Sequence, residues 1–126
     1  MKSLALSEYQ EQCIVADYLR KRWPDVLWTA TAGGMRTSIG TATKMKRAGL
    51  SKGVPDILIF FRQEETIEAG VNYICPGLAL EMKVRKGGVV SKDQKDWMKR
   101  LEAQGWQCHI CHGADEAIAA IEEYLG

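Results

Sequence analysis

Apolar residues in this chain follow two alternating rhythms: stretches that repeat every three or four positions, and short runs that are almost unbroken. Ser7-Glu8-Tyr9-Gln10 has the form of a capping box, with Ser7 as N-cap and Gln10 at the third helical position. It predicts a helix to about Arg22, ended by Pro24. Ile14, Val15, Tyr18 and Leu19 form the inward stripe of that helix, and Glu8 falls on the same side. Glu8 thus either points toward the sheet or serves the helix dipole from the first turn. Residues 26–30 predict a strand. The turn after it, Thr31-Ala32-Gly33-Gly34-Met35-Arg36, has paired glycines that suit either a tight bend or close approach of a sugar-phosphate backbone. Residues 41–48 predict a short helix carrying Lys44, Lys46 and Arg47 and stopped by Gly49.

Next come two apolar runs that read as buried strands. Gly53-Val54-Pro55-Asp56 leads straight into Ile57-Leu58-Ile59-Phe60-Phe61, and Leu78-Ala79-Leu80-Glu81-Met82-Lys83-Val84 follows later. Residues 62–69 between them are acidic and polar, an exposed excursion. Gly70 and the strand-like residues 71–75 return from it as a long antiparallel hairpin. Arg85-Lys86-Gly87-Gly88 predicts a flexible basic loop. Ser91-Lys92-Asp93-Gln94 is a second capping box and opens a helix whose apolar side is Trp97, Met98 and Leu101, ending at Gly105. Gln94 lies on that inward side as well as in the cap. Residues 106–111 predict the last strand, and Ala117, Ile118, Ile121 and Leu125 mark a final amphipathic helix. The order is α-β-α-β-β-α-β-α, an α/β class chain.

With 126 residues, 46% hydrophobic and 26% charged, the chain is expected to form one domain with an adequate core. No apolar run is long enough to span a bilayer, and the short N-terminal apolar stretch does not make a signal peptide, so the expected location is the cytoplasm, with reduced cysteines. Cys108-His109-Ile110-Cys111-His112 matches a haem-attachment pattern. Strand alternation would put Cys108 and Cys111 on opposite faces, however, so a core strand without haem or zinc is expected.

Net charge is only +1, but the charges are segregated. Residues 35–55 hold Arg36, Lys44, Lys46, Arg47 and Lys52 and no acid; residues 82–100 hold seven basic residues against Asp93 and Asp96; residues 101–126 hold five acids and no Lys or Arg. The two basic blocks flank the apolar strands, where Asp56, Glu81 and Lys83 are misplaced charges. Glu81 and Lys83, two apart, point to one face of a pleated strand. Buried charge is costly without a compensating ion or partner, so their convergence argues for a site beside a phosphate-binding surface. Asp56 and Glu81 offer the hard oxygen ligands that suit Mg²⁺ or Mn²⁺, and Lys83 could orient or deprotonate an attacking water.

Asp56 followed twenty-five residues later by Glu81-Met82-Lys83 resembles the signature of the PD-(D/E)xK nuclease superfamily. Gly53-Val54-Pro55-Asp56, the helical Glu8 and the Ser91-x-x-Gln94 helix resemble its VRR-NUC branch, over nearly the whole chain and without appended modules. The resemblance implies a restriction-endonuclease-like core, a central mixed four-stranded sheet flanked by helices. It also implies Mg²⁺ or Mn²⁺ held by Asp56, Glu81, the Met82 main-chain carbonyl and Glu8, with Lys83 catalytic and Gln94 supporting the site. The implied partner is DNA, branched as in a four-way junction, cut by a homodimer of the small stand-alone viral or bacterial type. Candidate DNA contacts are Lys44, Lys46, Arg47, Lys52, Arg85, Lys86, Gly33 and Gly34. The alternatives are a monomeric flap or nicking nuclease and a DNA-binding or docking module without catalysis.

Overall fold

The fold is built on residues 78–83, which are buried without a break. The structure is a computed structural model, and it describes residues 5–31 and 38–126; the expected contact glycines Gly33 and Gly34 lie outside the described residues. The elements are α1 (Glu8–Arg22), β1 (Leu27–Ala30), α2 (Ile39–Arg47), β2 (Ile57–Phe60), β3 (Gln63–Ile67), β4 (Gly70–Cys75), β5 (Leu78–Lys83), α3 (Lys92–Ala103), β6 (Gln107–His112) and α4 (Ala114–Leu125). Four strands form a mixed sheet in the order β1-β2-β5-β6. Both β1/β2 and β2/β5 are antiparallel, and β5/β6 is parallel, bridged by α3 as a parallel pair requires. The acidic excursion forms the expected antiparallel hairpin, β3 paired with β4, as a sheet of its own beside the four-stranded one.

Alternation along β5 divides the molecule. Leu80 and Met82 join Ile57, Ile59, Val15, Leu19, Cys111, Ala117 and Ile121 in the core beneath α1 and α4. Each large side chain so buried contributes about 1.5–3 kcal/mol. Glu81 and Lys83 face the other way, toward α3. The same alternation in β6 sends Cys111 into the core and leaves Cys108 on the α3 side, its Sγ 3.7 Å from the Met98 carbonyl oxygen. Burial holds both thiols protonated, Cys108 pushed up to about 11 and Cys111 to about 12.

Two details of α1 differ from the sequence expectation. Ile14 is exposed, and the acid that turns inward is Glu11, fully buried, while Glu8 is exposed. Glu11 lies one helical turn before Val15 and two before Leu19, on the stripe the helix buries. Its Oε2 accepts the Ala114 N–H at 3.0 Å and its Oε1 accepts from Arg85 at 3.1 Å. The N-cap of α4, Gly113, has no capping side chain, so α1 supplies the cap. A Cβ at Gly113 would come within 2.5 Å of Glu11 Oε2. We expect Glu11→Ala to lower the unfolding free energy by about 2 kcal/mol or more, measured by urea denaturation, because it leaves the buried start of α4 without its acceptor and Arg85 with Asp115 alone. Glu11→Gln, which keeps an acceptor, should recover part of the loss; equal stability of both variants and the parent would contradict this role.

Both capping boxes are formed, Ser7 with Gln10 and Ser91 with Gln94. Helix α2, capped by Ser38, begins two residues earlier than expected and buries no residue. Among the described residues no helix is long and apolar enough to cross a membrane.

Candidate active site

The Gly-Val-Pro-Asp loop reaches the sheet by pressing on the first turn of α3. Gly53 has φ +88°, and a Cβ there would lie 2.4 Å from the Asp93 carbonyl carbon and 2.7 Å from the Gln94 nitrogen. Only glycine permits both that conformation and that approach. Pro55 is buried. Thr31 pins the next peptides from β1: its Oγ1 donates to the Pro55 carbonyl and its N–H to the Asp56 carbonyl, each at 2.8 Å. The β2/β5 register runs from Ile59↔Leu78 to Ile57↔Leu80. Just beyond its end, the Asp56 side chain takes over, Oδ2 accepting the Met82 N–H at 2.7 Å. Asp56 is thereby fixed against the strand that carries Glu81 and Lys83.

On the α3 face of β5, one amide organises the charges. Gln94 Nε2 donates to Glu81 Oε1 at 2.6 Å, and Gln94 Oε1 accepts from Lys83 Nζ at 3.1 Å. The same Oε1 accepts the Ser91 N–H at 2.8 Å. Capping and site support, which look like alternatives in the sequence, are one arrangement. Lys83 Nζ is 3.7 Å from Glu81 Oε1, and both side chains are almost wholly buried. Gly88 lies over the Lys83 stem, where a Cβ would be 3.3 Å from Cδ, so part of the basic loop closes against the site.

Two carboxyls this close and this buried resist being charged together. Burial first, then the Asp56 charge, push Glu81 up from 4.5 to about 8, with Lys83 opposing. Burial also raises Asp56, against the Met82 N–H bond and with help from Glu8. Without a cation the folded chain therefore holds a proton on Glu81 that the unfolded chain releases. Stability conferred by that proton is full below about 4.5, the ordinary value, and is lost progressively as pH rises from there through about 8. Thermal melts in EDTA should show the midpoint falling over this range, and Glu81→Gln should flatten the fall. A midpoint rising with pH would contradict the buried pair.

The donor set fits a divalent cation. Glu81 Oε2 is buried and has no hydrogen-bond partner, an orphaned acceptor of the kind a hard cation satisfies. Among the described residues no three His, Cys, Asp or Glu side chains converge closely enough to hold an ion. Asp56 and Glu81 make the close pair, and exposed Glu8 acts on both through its charge from the start of α1. Met82 contributes its N–H to Asp56.

The expected DNA contacts separate into two groups. Lys44, Lys46 and Arg47 are exposed on α2, and Lys52 and Lys86 are exposed beside Gly53 and after β5. Arg85 instead ties the loop after β5 to two helices, its two terminal nitrogens 3.1 Å from Glu11 on α1 and 3.1 Å from Asp115 on α4. Thr31 and Gly53 as supports of Asp56 and α3 escaped the sequence reading, although Gly before Val-Pro-Asp was visible there.

Comparison with known proteins identifies the family and the fold. The sequence model of the VRR-NUC domain matches residues 6–115. A solved structure described as a VRR-NUC domain protein superposes with a TM-score of 0.70 and 21% identity, over 97% of this chain and 90% of that one. At that identity the likeness establishes the fold. No curated protein matches the chain.

Proposed function

The chain belongs to the VRR-NUC domain family, a nuclease-type domain, and from that premise we propose a Mg²⁺- or Mn²⁺-dependent endonuclease that hydrolyses phosphodiester bonds in branched DNA. The observation that carries this reading is buried Glu81 bonded to Gln94 beside Lys83, with Asp56 closing on the same strand. A catalytically inactive binding module would have no use for such a buried, mutually repelling set.

In this reading Asp56, Glu81 and the Met82 carbonyl would hold the cation, and Glu8 would add its charge from the start of α1. The bound cation supplies Lewis-acid polarisation of the phosphate. Lys83 gives a fixed positive charge beside the phosphorus, offsetting the negative charge that grows there as water oxygen bonds to it and the sugar oxygen departs. Gln94 keeps the ammonium and the Glu81 carboxyl in register, so neither must reorganise during the reaction. Thr31 and Gly53 hold the Pro-Asp loop and α3 that carry them. Two symmetric cuts across a junction call for two such sites, hence a homodimer.

Exposed cations, those of α2 foremost, bind the phosphates. Because α2 buries nothing, replacing Lys44, Lys46 and Arg47 by alanine should leave thermal stability unchanged. It should weaken DNA binding and reduce the salt slope by about 0.9 for each phosphate no longer neutralised. An unchanged slope would mean that this helix faces away from DNA. The function itself is tested by incubating labelled four-way junction, flap and linear duplex with Mg²⁺, Mn²⁺ or EDTA. We expect metal-dependent cutting with the junction preferred; flap preference and a monomer in sedimentation would favour a flap or nicking enzyme, and no cutting of any substrate would sink the nuclease reading.

A further inference from the structure

The loop joining β5 to α3 is fastened at both ends and exposes a branched aliphatic side chain between them. At its start Arg85 is tied to Glu11 and Asp115. Gly88 then lies over the Lys83 stem, where a Cβ would be 3.3 Å from Cδ. At its end the Ser91 N–H donates to Gln94 Oε1, the same oxygen that accepts from Lys83. Val89 stands between these two contacts with the site and is 85% exposed. Gly87 and Gly88, with φ of +85° and +82°, make the turn that sets it there.

A single exposed apolar side chain is ordinary on a protein surface; the position of Val89 is not. β2 and β5 are antiparallel, so the loop leaves β5 at the end where Asp56 meets Met82. Lys86 and Lys92, which precede and follow Val89 in the chain, are both exposed. A DNA strand drawn to those cations, with a phosphate at Asp56 and Glu81, has Val89 beside it. Methyl groups offer a phosphate nothing; what they fit is the flat face of a base pair. In continuous duplex that face is covered by the next pair, and an aliphatic wedge must first unstack the two. At a branch point the stack is already interrupted. We propose that Val89 packs on the base pair laid bare at the branch point, and that this contact makes the enzyme prefer branched DNA to duplex. The contact deepens the nuclease reading and rests on it for its substrate, yet it is measurable without cutting.

The test is fluorescence anisotropy in EDTA with a labelled four-way junction and with a linear duplex of matching sequence. Val89→Ala removes two methyl groups from an exposed position and should leave the thermal midpoint unchanged. It should weaken junction binding about five- to ten-fold and change duplex binding by less than about two-fold. Val89→Leu, which keeps an apolar wedge, should bind the junction like the parent. A fluorescent aminopurine at the branch-point pair should respond to the parent and, at saturating protein, far less to Val89→Ala. Equal loss on both DNAs, no loss on either, an aminopurine response that Val89→Ala reproduces, or a parent that binds duplex as well as junction overturns the proposal. The two readings fail separately. A protein that cuts no DNA yet shows the Val89 contrast keeps the branch contact and loses the nuclease; one that cuts DNA while Val89→Ala binds the junction like the parent keeps the nuclease and loses the branch contact.

Discussion

Lys83→Met should lower the cleavage rate by about a hundred- to ten-thousand-fold while DNA binding stays near that of the parent. The methionine keeps the length and packing of the stem against Gly88, so what is removed is the charge. That charge has two duties in the geometry. It faces the Gln94 oxygen at 3.1 Å, fixed for the developing phosphate charge, and it opposes the burial that drives Glu81 toward its protonated form. Removing it therefore leaves a Glu81 that is harder to ionise and a transition state without its cation. Single-turnover rates and filter binding on the same preparation check the split. Loss of binding in step with rate, or a protein that no longer folds, would make Lys83 a structural charge.

Gly53→Ala should be nearly as damaging, though it alters no group that touches the substrate. The methyl would meet the backbone of Asp93 and Gln94 at 2.4–2.7 Å, distances that cannot be met without moving the start of α3. Gln94 would move with it, and with Gln94 the register of Lys83 and Glu81. A shift of about an ångström in such a group costs on the order of a hundred-fold in rate, and the left-handed φ adds about 1–3 kcal/mol of strain. Gly49 provides the control, since it too has a positive φ, +111°, but nothing within 4 Å of its would-be Cβ. Gly49→Ala should lose stability from backbone strain alone and keep its rate. Equal rates for the two variants would show that the Gly53 contact does not position the site.

The sequence made some of this legible and hid the rest for definite reasons. Charges inside apolar runs marked Asp56, Glu81 and Lys83, because the pleat period places alternate residues on one face whatever the tertiary context. Both helix starts could be read from Ser7 and Ser91, since a capping box is a local interaction over three residues. Helical periodicity does not single out Glu11, because it names a face and not what packs against it. The partner of Glu11, the bare N-terminus of α4, is far along the chain at Ala114. The β3–β4 ladder is only partly visible, for its almost wholly exposed strands lack the burial pattern that signals a sheet. Gly53 showed as a turn residue, but its reason, the backbone of α3 pressed against it, is an approach between segments that no local pattern records.

Whether Asp56 and Glu81 form a cation site serving DNA cleavage is tested most directly by nicking of supercoiled plasmid. The parent and Asp56→Asn are run side by side, each with Mg²⁺ and with EDTA. Nicking by the parent in Mg²⁺ alone, absent from all three other lanes, is the predicted result. Nicking that survives in EDTA, or that persists in Asp56→Asn at the parent's rate, would contradict it.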